Sequence, residues 1–103
     1  MELLPHELRS RLPPRYAQEA DDEPIVYAHY FLPETGSSWY VCEGQPEGED
    51  YLFFGFVSFP DGDFRCFLLS ELSTLRGPTG RTVERDQTFT EGRLTDVVPA
   101  PDS

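Results

Sequence analysis

Two histidines, two cysteines and three clustered arginines are the side chains of this 103-residue chain that offer the most chemistry. His6, His29, Cys42 and Cys66 stand 13 or more positions apart. None of them has the short spacing of a metal-binding loop, and a structural zinc would need all four to converge from separate elements. His29 falls mid-strand on the parity of Ile25, Tyr27 and Phe31, where a satisfied, partly buried histidine is expected. Cys42 and Cys66 each fall inside a strand, as small buried apolar groups. Asp61 and Asp63 flank Gly62, but a turn asks for the same residues, and the calcium-loop pattern is absent. The chain has no G-x-S-x-G, no lysine on which to build a phosphate loop, and no carboxylate pair marked by spacing. The expectation is a protein that is not an enzyme and uses no cofactor or metal.

Recognition chemistry is better represented. In Arg76–Asp86 (RGPTGRTVERD), Arg76, Arg81 and Arg85 interrupt an acidic chain beside two glycines and a proline. Guanidinium forks suit carboxylates and phosphates. Because the protein's own field is negative, protein recognition is favoured, with Glu84 and Asp86 completing the candidate partner-binding set. The competing reading is an ordered loop whose Glu84, Arg85 and Asp86 make internal ion pairs.

That field comes from 19 acids against eight arginines, a net charge of −11 and a pI near 4.3. Residues 19–50 hold nine acids and no base. Two patches dominate, Glu19, Asp21, Asp22 and Glu23, then Glu43, Glu47, Glu49 and Asp50, and both read as connections between strands. They are either solvated loops that keep the chain monomeric, or an electronegative face that imitates nucleic-acid phosphates. Direct binding to nucleic acid needs a basic surface, which this chain does not have. No run of about 18 apolar residues exists to cross a membrane. The start lacks the basic flank and apolar stretch of a secretory signal, so a cytoplasmic, reducing compartment is expected.

These groups must be positioned by a small fold. A mean hydropathy of −0.47 would suit a disordered chain, but 14 % aromatic residues argue for a packed core. Leu4, Leu8 and Leu12 share one helical face, and Pro13-Pro14 must end a helix over residues 5–11. Pro24–Leu32, Trp39–Glu43, Tyr51–Phe59 and Asp63–Leu69 read as strands, with Gly44–Asp50 a loop and Pro60-Asp61-Gly62 a hairpin turn. Gly55 marks a bulge or a close approach. Ser70 is placed to cap a helix over residues 71–76, with Gly77 as its stop. Residues 81–89 form a short edge strand or an ordered extension. The predicted fold is α+β: a four-stranded, mainly antiparallel β-meander with short flanking helices. Residues 1–89 make one compact domain, and 90–103 a loosely ordered tail.

Strand Tyr51–Phe59 is apolar on both parities, with Leu52, Phe54 and Phe56 on one face and Tyr51, Phe53, Val57 and Phe59 on the other. A half-exposed sheet would alternate with polar residues. Either the N-terminal segment and the tail cover the second face, or it is the seat of a partner or a homodimer.

The order Leu12-Pro13-Pro14-Arg15-Tyr16, Trp39-Tyr40, Leu52-Phe53-Phe54-Gly55-Phe56-Val57, Leu69-Ser70-Glu71-Leu72, Arg76-Gly77-Pro78-Thr79-Gly80 and Val83-Glu84-Arg85-Asp86 resembles a bacterial family, the domain of unknown function number 2958. The likeness runs from about residue 12 to 89. It places an acid near the end of the second strand, which Glu43 fills, and a leucine where Arg81 stands. The resemblance implies an accessory protein of plasmids, integrated elements and phages, and supplies no reaction, ligand or catalytic residue. The expected function is therefore non-enzymatic protein–protein recognition through the aromatic sheet or the Arg76–Asp86 loop. The alternative is an acidic nucleic-acid mimic that inhibits a host defence or DNA-binding enzyme.

Overall fold

Leucine spacing and the double proline set the first element, α1 (His6–Arg11), in the computed structural model, which describes residues 2–18, 20, 22–58 and 62–98. Pro5 precedes the helix with extended backbone, and Leu4, Leu8 and Leu12 are buried. The run Pro24–Leu32 is not one strand: it divides into β1 (Ile25–Val26) and β2 (Ala28–Leu32) at Tyr27, whose N–H goes to the Val41 carbonyl at 2.8 Å. The second strand is longer than its aromatic stretch. β3 (Ser37–Glu47) runs on through Gly44, Gln45 and Pro46, so the expected loop is strand up to a tight turn at Gly48. Proline is tolerated there because β2 pairs only with residues 37–41 of β3 and does not reach Pro46.

β4 (Asp50–Val57) and β5 (Asp63–Leu68) form the hairpin read from the sequence, in register from Leu52 opposite Leu68 to Val57 opposite Asp63. Phe59, Pro60 and Asp61 of its turn lie outside the described residues; Gly62 has φ +68°. α2 (Leu69–Thr74) begins earlier than expected. The Glu71 carboxylate reaches back to the Leu68 N–H at 2.8 Å, while Ser70, proposed as the cap, bonds Asp50 instead. Gly77 does not end this helix. It sits where an added Cβ would lie 3.3 Å from the Pro33 carbonyl oxygen.

The last elements change the architecture. β6 (Glu84–Arg85) pairs with β2, so the main sheet has five antiparallel strands in the order β5-β4-β3-β2-β6, not a four-stranded meander. The segment from residue 90, expected to be a loose tail, contains β7 (Gly92–Arg93), which pairs with β1 as a two-stranded sheet, and α3 (Leu94–Val97). Thr90–Val98 holds few apolar residues. Leu94, Val97 and Val98 are enough to order it, because they pack on Val26, Tyr40 and Cys42.

The main core lies on one face of the five-stranded sheet. Tyr30, Trp39, Val41, Phe53 and Phe67 meet the α1 leucines and Leu72 there, and the Tyr30 hydroxyl donates to the Leu3 carbonyl. At Val41–Glu43 the β3–β4 register slips by one, a bulge that inserts Cys42. Gly55 stands opposite Val41, and a Cβ there would lie 2.0 Å from the Tyr40 carbonyl oxygen. The close approach foreseen for this glycine is therefore real, and it is against the bulged strand.

Candidate functional site

The face opposite α1 carries Phe31, His29, Tyr40, Phe54, Phe56, Phe64 and Cys66, in alternation along β2 to β5. The C-terminal segment covers part of it: Phe89, Leu94, Val97 and Val98 pack with Phe56 on Val26, Tyr40 and Cys42. The β4–β5 end stays open. Phe54 and Phe64 stack at 5.6 Å and 10°, and Phe56 meets Phe64 edge-on at 5.6 Å. Phe64 remains 38 % exposed and the nearby Tyr16 60 %. Large aromatic rings left this open are the residues whose burial on a partner returns the most free energy.

One arginine joins this platform to the fold. The Arg15 guanidinium lies 3.9 Å from the Phe54 ring centroid and 4.0 Å from that of Tyr16, a cation held between two π-faces. Its Nη1 donates to the Glu43 carboxylate at 3.2 Å. Glu43 also accepts the Tyr16 and Gln18 backbone N–H groups, each at 2.7 Å. A buried carboxylate is tolerable when it has a cation and several donors, and Glu43 has both. Gln18 extends the clasp. Its side-chain amide accepts from the Ile25 N–H and donates to the Ile25 and Cys42 carbonyls. The backbone after Pro14, including the positive φ of 76° at Tyr16, is thereby fixed to β1 and β3. A cleft of about 400 Å³ opens beside this arginine, walled by Phe54 and Phe64, with Pro24 and Asp22 at its rim.

A second cluster lies on the same face, towards β6. His29 Nδ1 lies 3.1 Å from Asp86 Oδ2, and its Nε2 lies 2.9 Å from Ser38 Oγ. The ring is stacked on Tyr40 at 4.6 Å and 6°. This is the atom order of a nucleophilic relay. The Ser38 N–H donates to Ser58 Oγ at 3.1 Å. Asp86 also accepts from the Thr88 N–H and hydroxyl, and its own N–H donates to the His29 carbonyl at 2.9 Å. These bonds, Thr88 first and His29 next, hold the Asp86 carboxyl below the usual carboxylate range. In the fold this arrangement ties β6 and the following turn to β2 and β3.

The candidate recognition residues all make contacts within the chain. Arg76 Nη1 donates to the Ser73 and Leu75 carbonyls, Arg81 pairs with Glu84 at 3.0 Å, and Arg85 Nε donates to the Glu2 carbonyl. Asp86 is bound to His29, while Arg76 and Arg81 stay exposed at the surface. The acidic patches are also divided. Glu19 and Asp21 lie outside the described residues; Asp22 and Glu23 are exposed, with Glu23 accepting from the Thr95 hydroxyl. Glu47 and Glu49 are exposed at the β3–β4 turn, while Asp50 accepts from Ser70 and its carboxyl is held low by that bond. Glu43 is corrected outright: it is buried and cannot contribute to a surface that imitates phosphates. Cys66 is likewise exposed where a buried thiol was expected, because β5 is an edge strand; Cys42 is buried, and burial pushes its thiol up to about 12.

Phe64 was not singled out from the sequence; Arg15 stood there only in the run that carries the family resemblance, and Tyr16, expected to anchor the chain to the core, is 60 % exposed. The signal was there in part. Phe54, Phe56 and Phe64 share a parity across the best-defined hairpin, but nothing local says which rings the C-terminal segment will cover.

Among the described residues, no helix is long and apolar enough to cross a membrane. Residues 3–98 match the model of a family described as protein of unknown function (DUF2958). No curated protein and no solved structure matches the chain.

Proposed function

This chain belongs to that family of unknown function, and from its geometry we propose that it is a non-enzymatic binding protein that takes a basic segment of a protein partner on the open aromatic face of β4–β5. The observation that carries this reading is the exposed Phe64, stacked on Phe54 beside the Arg15–Tyr16 pair at the mouth of a cleft. Two physical arguments give the partner its chemistry. A net charge of −11 draws cations and raises the encounter rate with basic chains. The cleft itself offers the exposed Phe64 ring, with Asp22 in the same lining, a setting in which a lysine or arginine gains both cation–π and ionic contact. In the mobile-element setting implied by the family resemblance, nucleic-acid-binding proteins are a natural source of such basic segments.

The test is panning of a displayed random-peptide library on the purified chain. Peptides carrying lysine or arginine are expected to enrich, to lose binding on Phe64→Asp, and to keep it when Arg76, Arg81 and Arg85 are all changed to alanine. Absence of enrichment, or binding untouched by Phe64→Asp, would overturn the reading; loss in the triple variant alone would return recognition to the loop.

A further inference from the structure

We infer that β5 is also a self-pairing edge, through which two copies of this chain join their five-stranded sheets antiparallel about Phe64. This goes beyond the proposed partner binding, because it uses the strand's edge; the two Phe64 rings then come side by side at the centre of the joined sheet.

Among the described residues, β5 ends the sheet, with a strand neighbour only on its β4 side. Which of its backbone groups face outward can be read from two bonds. The Phe64 N–H donates to the Asp63 side chain at 2.7 Å, and the Leu68 N–H donates to the Glu71 side chain at 2.8 Å. Neither is engaged with β4. By the alternation of an antiparallel ladder, residues 64, 66 and 68 therefore direct their backbone groups away from the sheet, towards any added strand. An edge of this kind is a template for another strand unless it is blocked.

What selects a second copy is the charge order. Asp63 and Arg65 stand opposite Val57 and Gly55, so they share one face of the sheet. An antiparallel partner centred on Phe64 sets Asp63 opposite the partner's Arg65, and Arg65 opposite the partner's Asp63. Two opposite-charge cross-strand pairs then form by symmetry, and the two Phe64 residues exchange N–H and carbonyl groups directly. Other registers are poorer. Centring on Arg65 sets two arginines face to face. Centring on Cys66 sets Arg65 opposite the partner's Phe67, so neither charge meets an opposite one. In the favoured register Asp63 gives up its local bond to the Phe64 N–H, and both groups gain a partner across the interface. The remaining opposition is the general repulsion of two chains of −11 each, which salt screens.

The experiment is sedimentation of the full chain with Cys66→Ser, at about 0.3 M salt and up to about 1 mM protein, the range of a weak edge association. The unaltered edge is expected to show reversible dimer. Arg65→Asp should weaken it at least about tenfold, since both cross-strand pairs become repulsive. Asp63→Arg should do the same by the opposite charge. The double variant Asp63→Arg with Arg65→Asp should restore dimer, because the exchanged pairs are again self-complementary. Far-UV circular dichroism of each single variant, expected to match the unaltered chain, separates loss of pairing from loss of fold. A monomer at every concentration, a dimer indifferent to Arg65→Asp, or a double variant that stays monomeric would each overturn the inference. Peptide capture is read at about 1 μM protein, far below the range of this association, so the two readings fail separately.

Discussion

Glu43 on β3 and Arg15 in the segment after α1 meet at 3.2 Å, with the carboxylate side chain 2 % exposed and the guanidinium 18 %. They lie 28 positions apart in the chain. The pair does two things at once. It neutralises a buried acid, and it holds the arginine flat between Tyr16 and Phe54, at the edge of the proposed binding cleft.

Glu43→Gln should destabilise the fold by about 2–4 kcal/mol. The amide keeps the size of the side chain but gives up the charge that Arg15 and two backbone N–H groups address. Urea denaturation of the two proteins measures this. A loss below about 0.5 kcal/mol would mean that the clasp is not a stabilising element.

The two thiols should react very differently. Cys42 is buried and its thiol titrates near 12, whereas Cys66 is exposed on the edge strand. Thiolate is the reactive form, so iodoacetamide on the native protein at about pH 8 should give a single adduct, on Cys66. Intact mass and peptide mapping decide it, and a second adduct should follow only when denaturant is added.

Gly55→Ala should cost roughly 3 kcal/mol or prevent folding altogether. Its Cβ would lie 2.0 Å from the Tyr40 carbonyl oxygen, and that backbone is fixed in the sheet centre by pairing on both sides. A thermal melt within a few degrees of the unaltered protein would show that β3 can shift after all.

Asp86 should make the fold acid-sensitive. Its folded carboxyl is held below the ordinary value of about 3.9, so its contribution is fully present above that pH and is lost as the pH falls through the folded value. Asp86→Asn should lower the melting temperature at pH 7 and narrow the difference between variant and unaltered protein towards about pH 3. An equal gap at both pH values would count against the His29–Asp86–Thr88 linkage as its source.

Much of the fold was legible because its signals are local. The α1 leucines, the Pro13-Pro14 stop, the β4–β5 hairpin and the tight packing of Gly55 each follow from residue type and spacing within a dozen positions. The candidate site was legible only as an imbalance, more aromatic surface than the predicted helices could cover.

Tertiary structure decided the rest, for reasons of distance along the chain. Whether Glu43 belonged to a surface patch or to the interior depended on a cation and two N–H groups from residues 15–18. Whether the stretch after residue 90 was a tail depended on Leu94 and Val97 finding Val26 and Cys42, a contact that so polar a segment does not advertise. And which aromatic rings stay open depended on how far that segment reaches across the sheet. Among the described residues it covers Tyr40 and stops short of Phe64. Composition determined that this protein would have aromatic surface to spare; only packing decided that the surplus lies at β4 and β5, beside an arginine held by a buried acid.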